Sequence, residues 1–480
     1  MNVLAIDQGT SATKALVLGP GGAVLGEGLA LVHPQAGPGG AVTQDPGELL
    51  ESVRAAGAMA LAAAGAQVSA VGLGNQGETV LAWNRGTGVA LGPAVSWQDR
   101  RAGEIVAELA PHSERLEQIT GLELDPYFAA PKMAWLARRS DPSAVVTTVD
   151  SWITHQLTGA FVTDAATASR TMLLDLATGR WSDEACALFG LDPGRQPAVA
   201  ANADIIGETT AFGERLPVSG LVVDQQAALF AQSCLDPGEA KCTYGTGAFA
   251  LMNIGDKPIL SEHGLVTTVA WGLGGKTTFA LEGSAFIAGA AVQWLRDGLG
   301  IIKSAQDIEA LAKQVESSDG VVFVPALAGL GAPHWDQDAR GTITGLTRAT
   351  TAAHLARATL EGIAFEVTDL LGAMVKDAKR PLSRLRVDGG AAANDLLMQF
   401  QSDVATVIVE RPADVESTGR GAAMLAGLGA GLGGGLDGVA KMARIATRFE
   451  PKMTSADRDA HRERWDDALA RTRSKRDDAR

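Results

Sequence analysis

The chain has 480 residues, of which 46% are hydrophobic and 20% charged, so a disordered or fibrous protein is excluded and two α/β lobes are expected. Its 55 acidic and 41 basic side chains give a formal charge of -14, which argues against nucleic acid and anionic membrane surfaces as partners. Three cysteines without a Cys-x-x-Cys pair indicate neither a disulfide framework nor a structural zinc site, and they favour a cytoplasmic location. We expect no targeting signal, because MNVLAIDQGT lacks a basic segment.

The first half of the chain begins with a strand pattern. Residues 3–6 form a short apolar run, and a polar turn, a second apolar run, a Gly-rich turn and a third apolar run follow. Residues 46–65 have the composition of a helix, and residues 68–78 read as a buried strand that leaves into a loop. Together these elements predict an α/β domain.

The second half opens with a similar pattern. Residues 238–255 predict a strand, a Gly-Thr-Gly turn and another strand. The later predictions are helices over 283–298 and 351–377, a strand over 385–390, a helix from near Asn394, and a packed helix rather than a linker over 424–436. The charged segment from Ser455 predicts a solvated surface helix. We place the junction between the lobes near residue 233, which gives lobes 1–233 and 234–480.

Three Gly-rich turns have the residue types that handle phosphate. They are Asp7–Ser11, Tyr244–Gly247, and Asp388–Gly390 followed by Asn394. Such turns aim backbone N–H groups at phosphate oxygens, and a helix N-terminus adds a favourable dipole. One such turn alone is more often an ordinary hairpin, but three in this order resemble the actin-like (ribonuclease H-like) ATPase fold. In that fold two lobes surround a central cleft and clasp the phosphates of ATP.

Longer segments carry a family resemblance along nearly the whole chain. They include AIDQGTSATKALV, GNQGET, VSWQDRR, VVDQQAALFAQ, TYGTGAFALMN, GLGAPHWDQDARGTITGLTR and LRVDGGAAANDLLMQFQSD. With these segments the chain resembles the FGGY family of carbohydrate kinases, and within that family the glycerol kinases. The resemblance implies transfer of phosphate from ATP, with Mg²⁺, to a hydroxyl of a small polyol such as glycerol or a close relative.

The resemblance also implies roles for individual residues. Asp7 would serve the metal, and the residues that would bind the nucleotide are Thr10, Ser11, Lys14, Thr246, Gly289, Gln293, Gly390 and Asn394. For Gly289 and Gln293, close helix packing and a surface amide are the alternatives that the residues alone would favour. Lys14 stands where glycerol kinases commonly have Arg, and it would act on phosphate as a point charge without the guanidinium fork.

Asp224 follows a predicted strand and matches the position of the family's catalytic base. An Asp there would accept the proton of the attacking hydroxyl. The matching substrate positions are Gly77, Glu78, Trp97, Tyr127, Asp224, Gln225 and Phe249. Carboxylates and an amide would bind hydroxyl groups, while aromatic rings would cover carbon–hydrogen faces.

Gly77 is the main departure from the glycerol kinases, which normally have Arg at this position. Without the arginine side chain, the pocket lacks several hydrogen-bond donors and has additional empty volume. We therefore expect a substrate with one or two further carbons, such as erythritol, arabinitol or a ketopentose of the xylulose type. Glu78 nevertheless keeps the glycerol kinase pattern, which favours a polyol.

Two further expectations concern the oligomeric state and the functional class of the protein. A homo-oligomer, dimer or tetramer, is expected. The remote alternative to a kinase is an actin-like protein switch driven by ATP, because a fold does not fix a function.

Overall fold

The computed structural model describes residues 2–413, 416–432 and 434–474. Strands of the first half are β1 (Val3–Gln8), β2 (Ala12–Leu18), β3 (Val24–Leu31), β4 (Gln35–Gly37), β5 (Ala41–Gln44), β6 (Ala70–Asn75), β7 (Val80–Trp83), β8 (Ala94–Val95), β9 (Val145–Thr148), β10 (Val162–Asp164), β11 (Leu174–Asp175), β12 (Arg180–Trp181), β13 (Ala198–Ala200), β14 (Gly207–Thr209) and β15 (Leu216–Val223). Helices of the first half are α1 (Pro46–Ala64), α2 (Gly103–Leu109), α3 (Ser113–Thr120), α4 (Ala129–Ala137), α5 (Val149–Thr158), α6 (Ala165–Ser169), α7 (Asp183–Leu188) and α8 (Asp224–Ala231).

The second half contains a similar mixture. Its strands are β16 (Glu239–Tyr244), β17 (Ala248–Gly255), β18 (Val266–Leu273), β19 (Lys276–Ala285), β20 (Val322–Val324), β21 (Thr342–Thr344), β22 (Arg384–Asp388), β23 (Val409–Pro412) and β24 (Ile445–Phe449). Its helices are α9 (Gly289–Asp297), α10 (Asp307–Ala312), α11 (Ala352–Ala378), α12 (Asp395–Ala405), α13 (Ser417–Gly429), α14 (Gly435–Ala440) and α15 (Ser455–Thr472). No helix in the described part of the chain has the length and apolar character needed to cross a membrane.

A six-stranded sheet in the order β14-β15-β6-β1-β2-β3 is the centre of the first half. Strands β1 and β2 form an antiparallel hairpin, while β1 pairs in parallel with β6, and β6 with β15. Helix α1 begins at the cap residue Asp45, whose side chain accepts from the N–H of Glu48, and it packs on β3. A Cβ atom at Gly28 would lie 2.1 Å from the carbonyl oxygen of Ala56, so only glycine permits this close packing.

A seven-stranded sheet in the order β18-β19-β17-β16-β22-β23-β24 is the centre of the second half. Its β16–β17 hairpin is antiparallel, and β16 pairs in parallel with β22, so the first hairpin pattern is repeated. The expected helix over 283–298 is wrong at its start. Residues 276–285 form β19, and helix α9 begins only at Gly289.

Helix α13 crosses back onto the first sheet. The Ser219 hydroxyl donates to the carbonyl oxygen of Ala426 at 2.8 Å, and a Cβ atom at Gly72 would lie 2.3 Å from the carbonyl oxygen of Ala422. The helix expected over 424–436 is therefore packed as predicted up to Gly429, after which the chain turns before α14. Gly433 lies outside the described residues.

Helix α15 is more than the solvated surface helix that its charge predicts. Trp465, Ala468 and Leu469 are buried on one of its faces. The Trp465 ring stacks on Phe365 of α11 with 5.1 Å between ring centroids, and its N–H donates to Asp369 at 3.0 Å. One face of the helix therefore belongs to the core of the second half.

Candidate active site

The two hairpins predicted to handle phosphate are formed. In the first, the N–H of Gly9 donates to the carbonyl oxygen of Ala12 at 3.0 Å. In the second, the N–H groups of Ala288 and Gly289 donate to the carbonyls of Thr246 and Gly245 at 2.8 and 2.9 Å. The start of helix α9 is thereby fixed directly against the second hairpin.

A cavity of about 320 Å³ lies between the second hairpin and helices α9, α10 and α12. It brings together five residues that the sequence assigns to the nucleotide: Thr246, Gly289, Gln293, Gly390 and Asn394. Asn394 also caps α12, since its Oδ1 accepts from the N–H of Leu397 at 2.9 Å. Arg296, Gln306 and Glu309 line the same cavity and were not predicted, although Arg296 lies one helical turn beyond Gln293.

Lys14 and Asp7 line a different cavity, of about 280 Å³. The Lys14 ammonium lies 2.7 Å from both carboxylate oxygens of Glu416, and the two side chains are about half exposed. Desolvation, with a smaller contribution from the charge of Asp224, raises the pKa of Asp7 to about 7. Ser11 is exposed at the tip of the first hairpin.

The hydroxyl of Thr10 lies within a polar network. It accepts from the indole N–H of Trp97 at 2.9 Å and donates to Oε1 of Gln76 at 3.1 Å. The Thr10 carbonyl accepts from Gln44 at 2.7 Å. Because a hydroxyl has one proton, the Thr10 side chain is committed to the protein, and any phosphate contact here falls to backbone N–H groups.

Asp224 is the first residue of α8, directly after β15. Its Oδ1 accepts from the N–H of Gln225 at 2.7 Å. Desolvation raises the pKa of Asp224 to about 7, and the negative charge of Glu78 contributes to the same shift. An Asp with such a pKa can take up a proton near neutral pH.

Glu78 and two aromatic residues lie in or close to the turn at residues 76–79, where the backbone N–H of Trp97 donates to the Thr79 hydroxyl at 3.2 Å. Glu78 is buried and has a left-handed backbone with φ of 56°. The rings of Trp97 and Tyr127 meet edge to face with 5.8 Å between centroids. The Tyr127 loop is held by Lys132, whose ammonium donates to the carbonyls of Pro126, Tyr127 and Phe128 at 2.5 to 2.7 Å.

Comparisons with known proteins identify the family of the chain. Residues 2–231 match the N-terminal domain of the FGGY family of carbohydrate kinases, and residues 240–430 match its C-terminal domain. The chain belongs to this family. It is an ATP-dependent kinase that phosphorylates an alcohol group.

Individual relatives cover nearly the whole FGGY chain. A glycerol kinase of Aromatoleum aromaticum is 48% identical over 98% of both chains, and one of Myxococcus xanthus is 46% identical over 98% of this chain and 99% of its own. The structure of Plasmodium falciparum glycerol kinase with ADP superposes with a TM-score of 0.94 at 33% identity and covers 98% of each chain. The two-lobed α/β fold expected from the sequence is confirmed.

The sequence interpretation missed several buried charged residues, among them Arg170, Lys241 and Glu282. Arg170 binds Glu78 and Glu282, and Lys241 donates to Gln225 Oε1 at 2.5 Å and to Thr243 Oγ1 at 3.0 Å. Lys241 also donates to the carbonyl of Phe249 at 3.4 Å. A charged residue inside a buried segment was the available signal, because Lys and Arg are rarely buried without a partner.

Gly77 lies in a buried turn of this FGGY chain between Asn75 and Glu78. Its carbonyl accepts from the N–H of Thr79 at 2.7 Å. A Cβ atom placed at Gly77 would lie 3.1 Å from Cγ2 of Val223. The first atom of a larger side chain would therefore need a small movement of Val223.

Proposed function

We propose that this kinase transfers the γ-phosphate of ATP to a hydroxyl of glycerol, with Asp224 as the catalytic base. The proposal rests mainly on the residue types at this site. Two carboxylates that influence each other, Asp224 and Glu78, occur together with the edge-to-face rings of Trp97 and Tyr127. Carboxylates suit hydroxyl groups and rings suit the carbon–hydrogen faces of a polyol. The glycerol kinases that are 44–48% identical over nearly the full chain support the same substrate.

The transfer needs little covalent chemistry from the protein. The substrate oxygen attacks the γ-phosphorus of ATP. The bond between the γ-phosphorus and the β,γ-bridging oxygen breaks, and ADP leaves. Asp224 takes the hydroxyl proton as the new oxygen–phosphorus bond forms. Its raised pKa of about 7 suits this role, because a base is most effective when its pKa lies near the working pH.

The residues that line the second cavity fit a nucleotide. Backbone groups of the Gly245–Gly247 turn and the start of α9 would hold phosphate, while Gly390 and Asn394 would seat the adenosine. The pairing of Lys14 with Glu416 means that Lys14 would act on phosphate only after leaving that carboxylate or sharing its charge with it.

Asp7 fits the magnesium that ATP chemistry requires. No cluster of three or more His, Cys, Asp or Glu side chains with metal geometry occurs among the described residues. Mg²⁺ suits such a site, since it keeps several waters and uses one or two carboxylates together with substrate phosphates. The bound ion would neutralise phosphate charge. Burial, with a smaller contribution from the charge of Asp224, raises the pKa of Asp7, and the positive charge of the ion would favour its ionised form.

A larger polyol is the second candidate, and Gly77 favours it. A glycine there provides neither the donors nor the volume of an arginine, so a substrate with one or two further carbons could enter. The protein-switch alternative gains no support, because the relatives named above are kinases.

A substrate panel tests the proposal. Glycerol, erythritol, arabinitol and xylulose would be compared by coupled ADP release at saturating MgATP. We expect glycerol to have the highest kcat/KM. A higher value for a four- or five-carbon substrate would select the second candidate, and polyol-independent ATP hydrolysis alone would overturn both.

Assembly and location stay predictions. A homo-oligomer and a cytoplasmic location remain expected, and so does the lack of a nucleic-acid or membrane partner. Cys186, Cys234 and Cys242 are buried free thiols, which is compatible with a reducing compartment.

A further inference from the structure

Arg170 forms a buried ion-pair chain behind the proposed polyol pocket. Its Nε donates to Oε1 of Glu78 at 2.6 Å, and its two terminal nitrogens donate to the two oxygens of Glu282 at 2.7 and 3.0 Å. All three side chains are buried, with exposed fractions of 3 to 7%. Such a triad is geometrically specific, since the guanidinium fork faces a carboxylate in bidentate fashion.

The ion-pair chain joins the two halves of the molecule. Arg170 follows α6 in the first half, while Glu282 belongs to β19 in the second sheet. In the β17–β19 ladder, Glu282 pairs with Leu251, and Phe249 pairs with Ser284 two residues further. Arg170 therefore connects Glu78 to the strand pair that carries Phe249.

The residue before Arg170 also contacts the second half of the molecule. The hydroxyl of Ser169 lies 2.7 Å from that of Thr268 and accepts from the N–H of Val269 at 3.0 Å. Adjacent residues 169 and 170 thus both contact the second sheet. This restricts how Arg170 can move relative to Glu282.

Stability alone does not account for three buried ions. Desolvation of buried charges often exceeds their mutual attraction, and apolar replacements of similar volume are frequently neutral or stabilising. Glu78 also carries backbone strain, because a left-handed φ of 56° is uncommon for a residue with a side chain. Strain and buried charge at one residue suggest that its position serves the site.

The bonding of Glu78 leaves one oxygen for a ligand. Arg170 occupies Oε1, and within the described residues no hydrogen bond reaches Oε2. The Arg170 guanidinium also lies 5.8 Å from the centroid of the Tyr127 ring, so it contacts a second residue of the proposed pocket.

We propose that Arg170 is a positioning residue that orients the Glu78 carboxylate, aims its Oε2 at a substrate hydroxyl, and fixes it relative to Phe249. The inference deepens the proposed function and rests on it. It also assigns a guanidinium to this pocket in a chain where Gly77 supplies none. Arg170 acts through Glu78 and takes no part in phosphate transfer.

The charges of Arg170 and Glu282 change the pKa of Glu78 in opposite directions. Burial raises the pKa of Glu78, Arg170 lowers it, and Glu282 raises it. The charged or titratable groups that act on Glu78 or respond to it are Arg170, Glu282, Lys132, Asp224 and Tyr127. Removing the Arg170 charge should raise the pKa of Glu78, and removing the Glu282 charge should lower it.

The test compares Arg170→Gln, Arg170→Lys and Glu282→Gln with the wild type. Arg115→Gln is the matched control, because Arg115 forms an equally short but half-exposed ion pair with Glu184 in the same half. The readouts are KM and kcat for glycerol, the pH profile of kcat/KM, the Kd for ADP and the thermal midpoint.

We expect Arg170→Gln to lower glycerol kcat/KM by about 10- to 100-fold, the range of a lost charged hydrogen bond, chiefly through KM. The acid limb of kcat/KM requires Asp224 and Glu78 to be ionised together. It should therefore move to higher pH in Arg170→Gln and to lower pH in Glu282→Gln, because the Glu282 charge lost in that variant raises the pKa of both carboxylates. In Arg170→Lys the acid limb should lie between those of the wild type and Arg170→Gln, because lysine restores the positive charge without the guanidinium fork. ADP binding and the Arg115→Gln control should match the wild type.

Two outcomes would overturn the inference. One is a pair of acid limbs that move in the same direction in Arg170→Gln and Glu282→Gln. The other is unchanged glycerol KM and pH profile in folded Arg170→Gln or, if that variant does not fold, in both Arg170→Lys and Glu282→Gln. If wild-type enzyme prefers another substrate, the proposed substrate fails separately, and the same comparison is made with that substrate.

Discussion

Trp97 donates its indole N–H to the Thr10 hydroxyl at 2.9 Å, so a ring of the proposed polyol pocket is hydrogen-bonded to the first phosphate hairpin. The two proposed subsites are therefore joined by a direct hydrogen bond. Substrate orientation in a phosphoryl transfer depends on such fixed geometry, since reacting atoms must be held close and in line.

Trp97→Phe should expose this coupling. An aromatic ring is kept and the N–H is lost, so we expect glycerol kcat/KM to fall by about 2- to 13-fold, the range of one neutral hydrogen bond. Steady-state kinetics would measure it. Trp152→Phe is the matched control, because Trp152 donates to the carbonyl of Gly88 at 2.9 Å away from the proposed pocket. Equal kinetic losses in both variants would contradict the coupling.

Asp224→Asn should nearly abolish phosphorylation. Asn has the same shape and its oxygen can still accept from the N–H of Gln225, but it cannot take up the substrate proton. We expect kcat to fall by about 10²- to 10⁴-fold, the usual contribution of a general base. Calorimetric titration with ADP should give the wild-type Kd. A kcat within threefold of wild type would remove Asp224 from the role of base.

The pH dependence of activity should follow the Asp224 carboxylate. Its pKa is raised to about 7, and the base must be ionised to accept a proton, so kcat/KM for polyol should rise with pH through about 7. The Lys241 charge lowers this pKa, so Lys241→Met should move the limb to higher pH. Initial rates between pH 5 and 9 would measure the acid limb of the wild type and that of Lys241→Met. A wild-type profile that is flat from pH 5 upward would contradict the assignment.

The same carboxylate should destabilise the fold at high pH. Asp224 has a folded pKa of about 7, above its ordinary value of 3.8, so the folded state binds more protons between these values. The free energy of unfolding that Asp224 contributes therefore falls as pH rises through this window. Asp224→Asn should raise the thermal midpoint at pH 8 more than at pH 4.5. Calorimetry that shows equal shifts at both values would contradict the raised pKa.

Local sequence signals predicted the hairpins because a turn depends on neighbouring residues. Glycines at 9, 245 and 389 mark turns that the structure contains, and at Gly389 a Cβ atom would lie 2.6 Å from the Tyr244 carbonyl. Five residues that the sequence assigns to the nucleotide line one cavity, and their role in binding it stays a prediction. That assignment, however, came through family resemblance more than through residue pattern.

Contacts between distant segments could not be predicted in this way. Glu78 and Arg170 are 92 residues apart, and Arg170 and Glu282 are 112 apart, so neither spacing nor periodicity connects them. The start of α9 was misplaced because LEGSAF reads equally well as a strand or as a helix. Trp465 was missed because the strongly charged surroundings of α15 concealed its single apolar face.

Gly77→Arg tests whether the glycine enlarges the substrate range. The φ of Gly77 does not require glycine, and Val223 must move only slightly, so an arginine should be tolerated at this position. The new guanidinium would fill the vacated volume and supply donors to substrate hydroxyls. We expect the ratio of glycerol kcat/KM to erythritol kcat/KM to rise about tenfold or more, the scale at which a pocket discriminates one carbon unit. Gly92→Arg is the control, because a Cβ atom there meets nothing within 4 Å. An unchanged ratio in folded Gly77→Arg would show that the space beside Glu78 does not select substrate length.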